Sequence, residues 1–466
     1  MQENKSVSTS KATVSRRDFV KGAAAVTAAF TIVPRHVLGG PGYQAPSDTL
    51  NIAGVGVGGM GGNNLRACET ENIVALCDVD FGIGAKVFEL YPNAKSYQDF
   101  RVMLDKQKDI DAVIVATPDH SHAVVAMAAM KMGKHVYVQK PLTHSIYEAR
   151  LLTETARKYN VMTQMGNQGH SGEGIRLICE WIWGGAIGNV HEVHAWTNRP
   201  VWPQGIEMDR PTEMVPVPEK MDWDLWLGPA AERPFHPAYH PAKWRAWWDF
   251  GTGSLGDMGC HILDPAFWAL KLKYPESVEG CTSTYWHGFF QKTDPKNEVY
   301  PRCSIVRMKF PEREDMPAVK VNWYDGGMMP PRPEELEPGR KMGDNDGGLL
   351  FMGDKGVLMT GCYGQGPRLI PETKMREYTM PEKTIPRIPG DVGGHEQDWI
   401  RSCKDGKPAS SNFDYSGPLS EMVLMGNLAV RHPNKQLLWD GENMTVTNDI
   451  EANEYVKRVY REGWFL

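Results

Sequence analysis

The chain has 466 residues, 41% of them hydrophobic and 23% charged, a globular composition on a length that favours two domains over one core. Its formal net charge of -6, without a long run of like charges, leaves no footprint for nucleic acid. The cysteines (Cys68, Cys77, Cys179, Cys260, Cys281, Cys303, Cys362 and Cys403) form no C-x-x-C and no zinc-finger spacing with histidine, so no metal site is expected, while a disulfide stays open.

Near the start, "SRRDFVKGAAAVTAAFTIVP" places Arg16 and Arg17 before Phe19 and Lys21, then an apolar stretch from Gly22 to Val33. That stretch is short for a bilayer span. It resembles a twin-arginine export signal, departing from S/T-R-R-x-F-L-K only at Val20. The competing reading is a basic leader before a short core helix. Residues 1–40 are assigned to the signal, with cleavage near Gly39, and 41–48 to a Pro/Gly linker. No cysteine closely follows the apolar stretch to carry a lipid, so membrane attachment is expected only through an uncleaved signal.

Residues 49–166 read as a nucleotide-binding domain. In "TLNIAGVGVGGMGGNNLRA" a short apolar run leads into glycines and then a helix. Two G-x-G-x-x-G registers fit, and only Gly56, Gly58 and Gly61 leave a full strand, Leu50 to Val55, ahead of the turn. The strand "NIVALCDVD" places Asp78 22 residues beyond Gly56, where a carboxylate holds ribose hydroxyls. No arginine follows it to meet a 2′-phosphate, which favours NAD. Asp80 reads as the cap of the next helix. Further strands at Ala112 to Ala116, in "KHVYVQKP" and in "VMTQMGNQ" alternate with helices, the pattern of a doubly wound parallel sheet. Thr117, Pro118, Gln139, Lys140 and Asn167 fall at strand ends, where ligands of such sheets bind. His120 and His122 read as turn or helix-cap residues.

The Gly56/Gly58/Gly61 loop, the "QKP" at 139–141 and Asp257-x-x-x-His261 together resemble the Gfo/Idh/MocA oxidoreductase family. "GNQGH", "DWDLWLGP", "WRAWWDFGTGSLGDMGCH" and "SNFDYSGPLSEMVLMGNLAVR" resemble an exported, sugar-acting branch of it. Gln139 departs from the family's usual glutamate. The resemblance implies a second α/β domain, 167–466, with a large, mostly antiparallel sheet that often mediates homo-oligomers. Alternating runs agree with it: "STYWHGFF", "CSIVRMKF", "AVKVNWYDGG" and a hairpin turning at Gly353 to Gly356.

Asp257 and His261 are four apart, hence on one face of a helix. His261 alone reads as a core histidine; with Lys140 and the glycine loop it becomes the candidate base for alcohol oxidation. Lys140 is placed on the same oxygen as an electrostatic stabiliser. Asp257 would orient the imidazole or bond a neighbouring hydroxyl, and Asp264 would bind substrate or cap a turn. No third ligand suggests a metal. Nine of the 15 tryptophans lie between Trp181 and Trp248, as sugar-stacking platforms, oligomer contacts or both. His170, Tyr239, His240, Arg245 and Trp248 are candidate substrate contacts. A periplasm supplies no free nicotinamide, so the NAD would stay bound and be recycled by a second sugar or another electron acceptor. The expected activity is a sugar or glycoside dehydrogenase making a 3-keto product. A redox-neutral glycosidase working by oxidation and elimination, an inositol or sugar dehydrogenase, and a catalytically dead binding protein are the alternatives.

Overall fold

The computed structural model describes residues 48–204, 210–284, 286–292 and 298–466; the expected signal, its cleavage site and the linker up to residue 47 lie outside them. Leu50–Leu466 forms one compact unit. Among the described residues no helix is long and apolar enough to cross a membrane.

The first sheet contains β1 (Asn51–Val55), β2 (Asn72–Cys77), β3 (Lys95–Tyr97), β4 (Ala112–Val115), β5 (His135–Val138) and β6 (Thr163–Met165). All its pairs are parallel, in the order β3-β2-β1-β4-β5-β6. β4 is buried along its whole length, as a strand covered by helices on both faces must be. Register matters more here than order. Val55 lies opposite Cys77 and Val115, Val115 opposite Val138, and Val138 opposite Met165. The carboxyl ends are therefore level, and Gly56, Asp78, Ala116, Gln139 and Gly166 emerge along one edge. Chain direction across the sheet reverses between β1 and β4, which opens a crevice at that edge. The sequence does not signal β3, a three-residue edge strand whose first two residues are exposed.

The second sheet has nine strands: β7 (Val190–Thr197), β8 (Ser277–Thr282), β11 (Ser304–Phe310), β12 (Val319–Tyr324), β13 (Gly347–Gly353), β14 (Gly356–Gly361), β15 (Arg368–Ile370), β16 (Gln436–Asp440) and β17 (Thr445–Val446). Only β7–β12 is parallel; the hairpin β13–β14 closes at Gly353 opposite Gly356. The run "STYWHGFF" does not enter this sheet: the strand before it, β8, does, and part of the run forms a small separate ribbon of β9 (Trp286–Gly288) and β10 (Gln291–Lys292).

The helix Phe413–Arg431 is buried on nearly every side. It packs against β8 and β11 of the large sheet, β6 of the parallel sheet, and the helices Ile146–Tyr159 and Gly253–Ile262. That shared element fixes the strand-end crevice relative to the helix carrying Asp257 and His261. All eight cysteines are free thiols.

Candidate active site

A cavity of about 370 Å³ lies along the level strand ends. Gly56 takes φ +77° directly after β1, and a Cβ there would stand 2.7 Å from the Thr117 amide nitrogen. At Gly61 a Cβ would be 1.9 Å from the Gly56 carbonyl oxygen, so the helix Met60–Ala67 can approach the turn only with glycine in that place. Asp78 braces the loop: Oδ2 accepts from the amides of Val57 (2.8 Å) and Gly58 (3.2 Å), and Oδ1 from Asp80 (3.0 Å). Burial raises its pKa against the pull of those amides. Asp80 caps the helix Phe81–Leu90 through Gly82 and Ile83, as expected.

These residues fit a dinucleotide. Gly56, Gly58, Asp78, Thr117, Pro118, Gln139 and Lys140 all line the cavity, and Thr117 Oγ1 is buried there without a hydrogen-bond partner. Of its lining, only Lys140 and Arg245 are lysine or arginine. Lys140 follows β5, three strand spacings or about 14 Å from Asp78, so among the described residues no lysine or arginine of the lining stands beside Asp78 to await a 2′-phosphate.

At the other end Lys140 Nζ donates to the Asp257 carbonyl oxygen (2.5 Å) and to Oδ1 (3.0 Å). Arg245 Nε lies 3.4 Å from Oδ1, and Arg199 Nε 3.6 Å from Oδ2. Burial would push the Asp257 carboxyl up; Lys140 and Arg245 outweigh it and hold it at about 2. Asp119 Oδ2 accepts from Thr252 Oγ1 at 2.5 Å, a second bolt between the strand-end loops and this helix. One turn beyond Asp257, His261 is 5% exposed, its ring edge-on to Tyr363 at 4.7 Å, and its Nδ1 is buried without a partner. Burial, then Lys140, pushes its pKa well below the ordinary imidazole value. Asp257 makes no hydrogen bond to His261 among the described residues, because the three cations take its carboxylate. The expected orienting role therefore gives way to anchoring Lys140. His261 itself does not line the cavity.

Gln139, where the resemblance leads one to expect a carboxylate, donates to Asn64 Oδ1 (2.9 Å), and Asn64 donates to Glu396 Oε1 (2.7 Å). A buried carboxylate thus stands one amide away, 257 residues later in the chain. Glu396, Arg199 and Tyr363 escape sequence reasoning, since no local motif marks them. In the structure Tyr363 takes φ +57°, uncommon for a non-glycine residue.

Other expected residues sit elsewhere. Asp264 is 1% exposed and accepts from Asn167 Nδ2 (3.0 Å), His170 Nδ1 (3.1 Å) and the Tyr415 hydroxyl. Asn167, His170 and Asp264 thus form a buried hydrogen-bond network, and none of them is in the cavity lining. Tyr239 is 1% exposed among Trp223, Trp247 and Phe250. Trp248 faces away, stacked on Arg431 at 4.0 Å and lining a different cavity. Most of the tryptophan-rich stretch is a small core of its own, with Trp223, Trp226, Trp244 and Trp247 buried. Trp244 and Trp202, at 4.2 and 5.8 Å from the Arg245 guanidinium, are the tryptophans beside the cations around Asp257. His240 does line the cavity, bonded to Asp80 rather than near Lys140. His120 and His122 are buried ties: His120 Nε2 meets Trp226 O (2.9 Å), and His122 bridges Thr117 O (2.8 Å) and Pro141 O (2.9 Å).

Residues 50–167 match the oxidoreductase-family model with an NAD-binding Rossmann fold, 190–280 match the C-terminal alpha/beta domain of the same family, and 13–32 match the twin-arginine translocation signal. An inositol 2-dehydrogenase of Salmonella typhimurium is 30% identical over 152 residues, covering 31% of this chain and 45% of that protein. A glycosyl hydrolase family 109 protein of Solibacter usitatus is 35% identical over 127 residues, 24% of this chain and 28% of the other. These matches span less than half of each relative. The solved levoglucosan dehydrogenase in complex with NADH shares the fold at TM-score 0.55 and 18% identity, over 82% of this chain and 97% of that one. Behind a twin-arginine signal, this chain carries the NAD-binding Rossmann domain and the C-terminal alpha/beta domain of the Gfo/Idh/MocA oxidoreductase family.

Proposed function

We propose that the protein works in the periplasm as a dehydrogenase of sugars or glycosides, oxidising a secondary hydroxyl, at C3, to a ketone. The observation that carries this reading is Lys140, which lines the nucleotide cavity while Asp257, on the helix of His261, holds its ammonium. Bound NAD would accept hydride from the carbinol carbon. His261, kept neutral by burial and by Lys140, takes the hydroxyl proton on a ring nitrogen. Lys140 hydrogen-bonds the same oxygen and stabilises its growing negative charge. Asp257 fixes Lys140 in place, and Arg245, with Trp244 and Trp202 around it, offers polar and stacking contacts to a sugar ring. The NAD stays bound and is regenerated by a second sugar or another acceptor, and the chains assemble as homo-oligomers through the large sheet.

The test is mass spectrometry of nucleotide released from purified protein, then a glycoside panel followed at the NADH absorbance and for keto products. Protein without nucleotide that reduces none with any glycoside overturns the proposal. Similarity to a glycosyl hydrolase family 109 protein favours a second reading, a redox-neutral glycosidase; free sugar and aglycone from the pure protein would select it over a stable keto-glycoside.

A further inference from the structure

The nucleotide cavity has a second wall, contributed by the far half of the chain. Trp226, His240, Trp244 and Trp464 face the strand-end loops across it. This wall is joined to the loop after Asp78 like an added strand: the Asp222 amide donates to Val79 O (2.8 Å) and the Phe81 amide to Lys220 O (3.0 Å). His240 Nε2 meets Asp80 Oδ2 at 3.0 Å. The tail clamps it from outside. Arg461 donates to Gly228 O (3.1 Å) and Asp224 O (3.0 Å), and Trp464 lies 4.5 Å under the Arg101 guanidinium.

Two polar atoms on this wall are buried without partners, Trp226 Nε1 and His240 Nδ1. A carboxylate only accepts, so its bond to Asp80 puts a proton on His240 Nε2 and leaves Nδ1 without a partner. An indole donor and an imidazole nitrogen thus stand unsatisfied on residues of this wall, and His240 lies on the Asp80 side of the cavity, where the motif puts adenosine. Buried polar groups rarely go without a hydrogen-bond partner.

We infer that Trp226 and His240 are nucleotide-binding residues, whose Nε1 and Nδ1 hydrogen-bond the adenosine half. Arg461 and Trp464 are positioning residues that hold the wall closed, so the nucleotide leaves slowly. The inference deepens the reading of a retained, recycled NAD and rests on it.

The experiment exchanges the bound nucleotide of full-length holoprotein against excess etheno-NAD, without substrate, and follows the fluorescence and the released NAD. Wild type should exchange slowly, while Trp226→Phe, His240→Ala and Arg461→Ala each release about tenfold faster, the scale of one lost hydrogen bond. Melting of the nucleotide-stripped proteins checks that the fold is intact. Trp226→Phe, which removes the N–H and keeps a ring, carries the test alone if His240→Ala does not fold. Release rates equal to wild type in folded variants overturn the inference. So does fast exchange in wild type, even if added NAD supports glycoside oxidation. Slow exchange that the variants abolish upholds it even where no glycoside is oxidised, in which case only the proposed activity fails.

Discussion

Substituting asparagine at Asp257 keeps the side chain's shape and removes its charge, leaving Lys140, Arg245 and Arg199 facing one another. Burial disfavours the carboxylate, yet Lys140 and Arg245 bring its pKa from 3.8 to about 2. At about 1.4 kcal/mol per unit, that displacement is worth about 2–3 kcal/mol of folding stability. The loss should stay near this value rather than the full cost of a broken buried pair, because Lys140 keeps its 2.5 Å bond to the Asp257 carbonyl. A depressed folded pKa contributes fully above the unfolded value of 3.8 and is lost as pH falls through about 2. Urea unfolding of wild type and Asp257→Asn should therefore differ by about 2–3 kcal/mol at neutral pH and by about half that near pH 3. Single-turnover hydride transfer should fall about 100-fold while nucleotide content holds, since Lys140 would no longer be pinned. A gap below about 1 kcal/mol at neutral pH, or one that does not narrow in acid, would refute the electrostatic argument.

Gly61→Ala forces a Cβ to within 1.9 Å of the Gly56 carbonyl, so the loop must open and the purified variant should carry at least about tenfold less NAD by mass spectrometry. His120, 0% exposed, has its pKa lowered to about 3, by burial first and then Arg458. Its stabilisation is present above the unfolded value of 6.5 and lost as pH falls from there toward 3, so Tm should drop across that window, and less steeply in His120→Gln. His261→Ala should slow sugar oxidation by about 10²–10⁴ with bound NAD unchanged, and an undiminished rate would remove His261 from the chemistry. Trp248→Phe, at the other cavity, should lower Tm and leave KM for the sugar unchanged, whereas a raised KM would return Trp248 to the substrate site.

The glycine turn, the Asp80 cap and the strands they flank were legible because each depends on local backbone needs that a short stretch states in full. Gly56 demands a positive φ, Gly61 a close approach, and Asp80 two free amides at a helix start. The Asp257–His261 spacing was legible as a helix face, but the partner of each side chain was not. Asp257 turned to Lys140, 117 residues earlier in sequence, and Asp264 turned inward to His170 and Tyr415. The tryptophans misled for a related reason: composition says that aromatic surface must be buried, not against what.

By itself the sequence determined the parallel nucleotide-binding sheet and the export signal, since periodicity and glycine spacing are properties of neighbouring residues. Only tertiary structure decided that Lys140 meets Asp257, that Glu396 stands behind Gln139, and that Trp226, His240 and Trp464 wall the cofactor cavity. Those pairings are set by the burial of the helix Phe413–Arg431 between both sheets and by the bridge from Asp80 to Met221, long-range packing that no local pattern encodes.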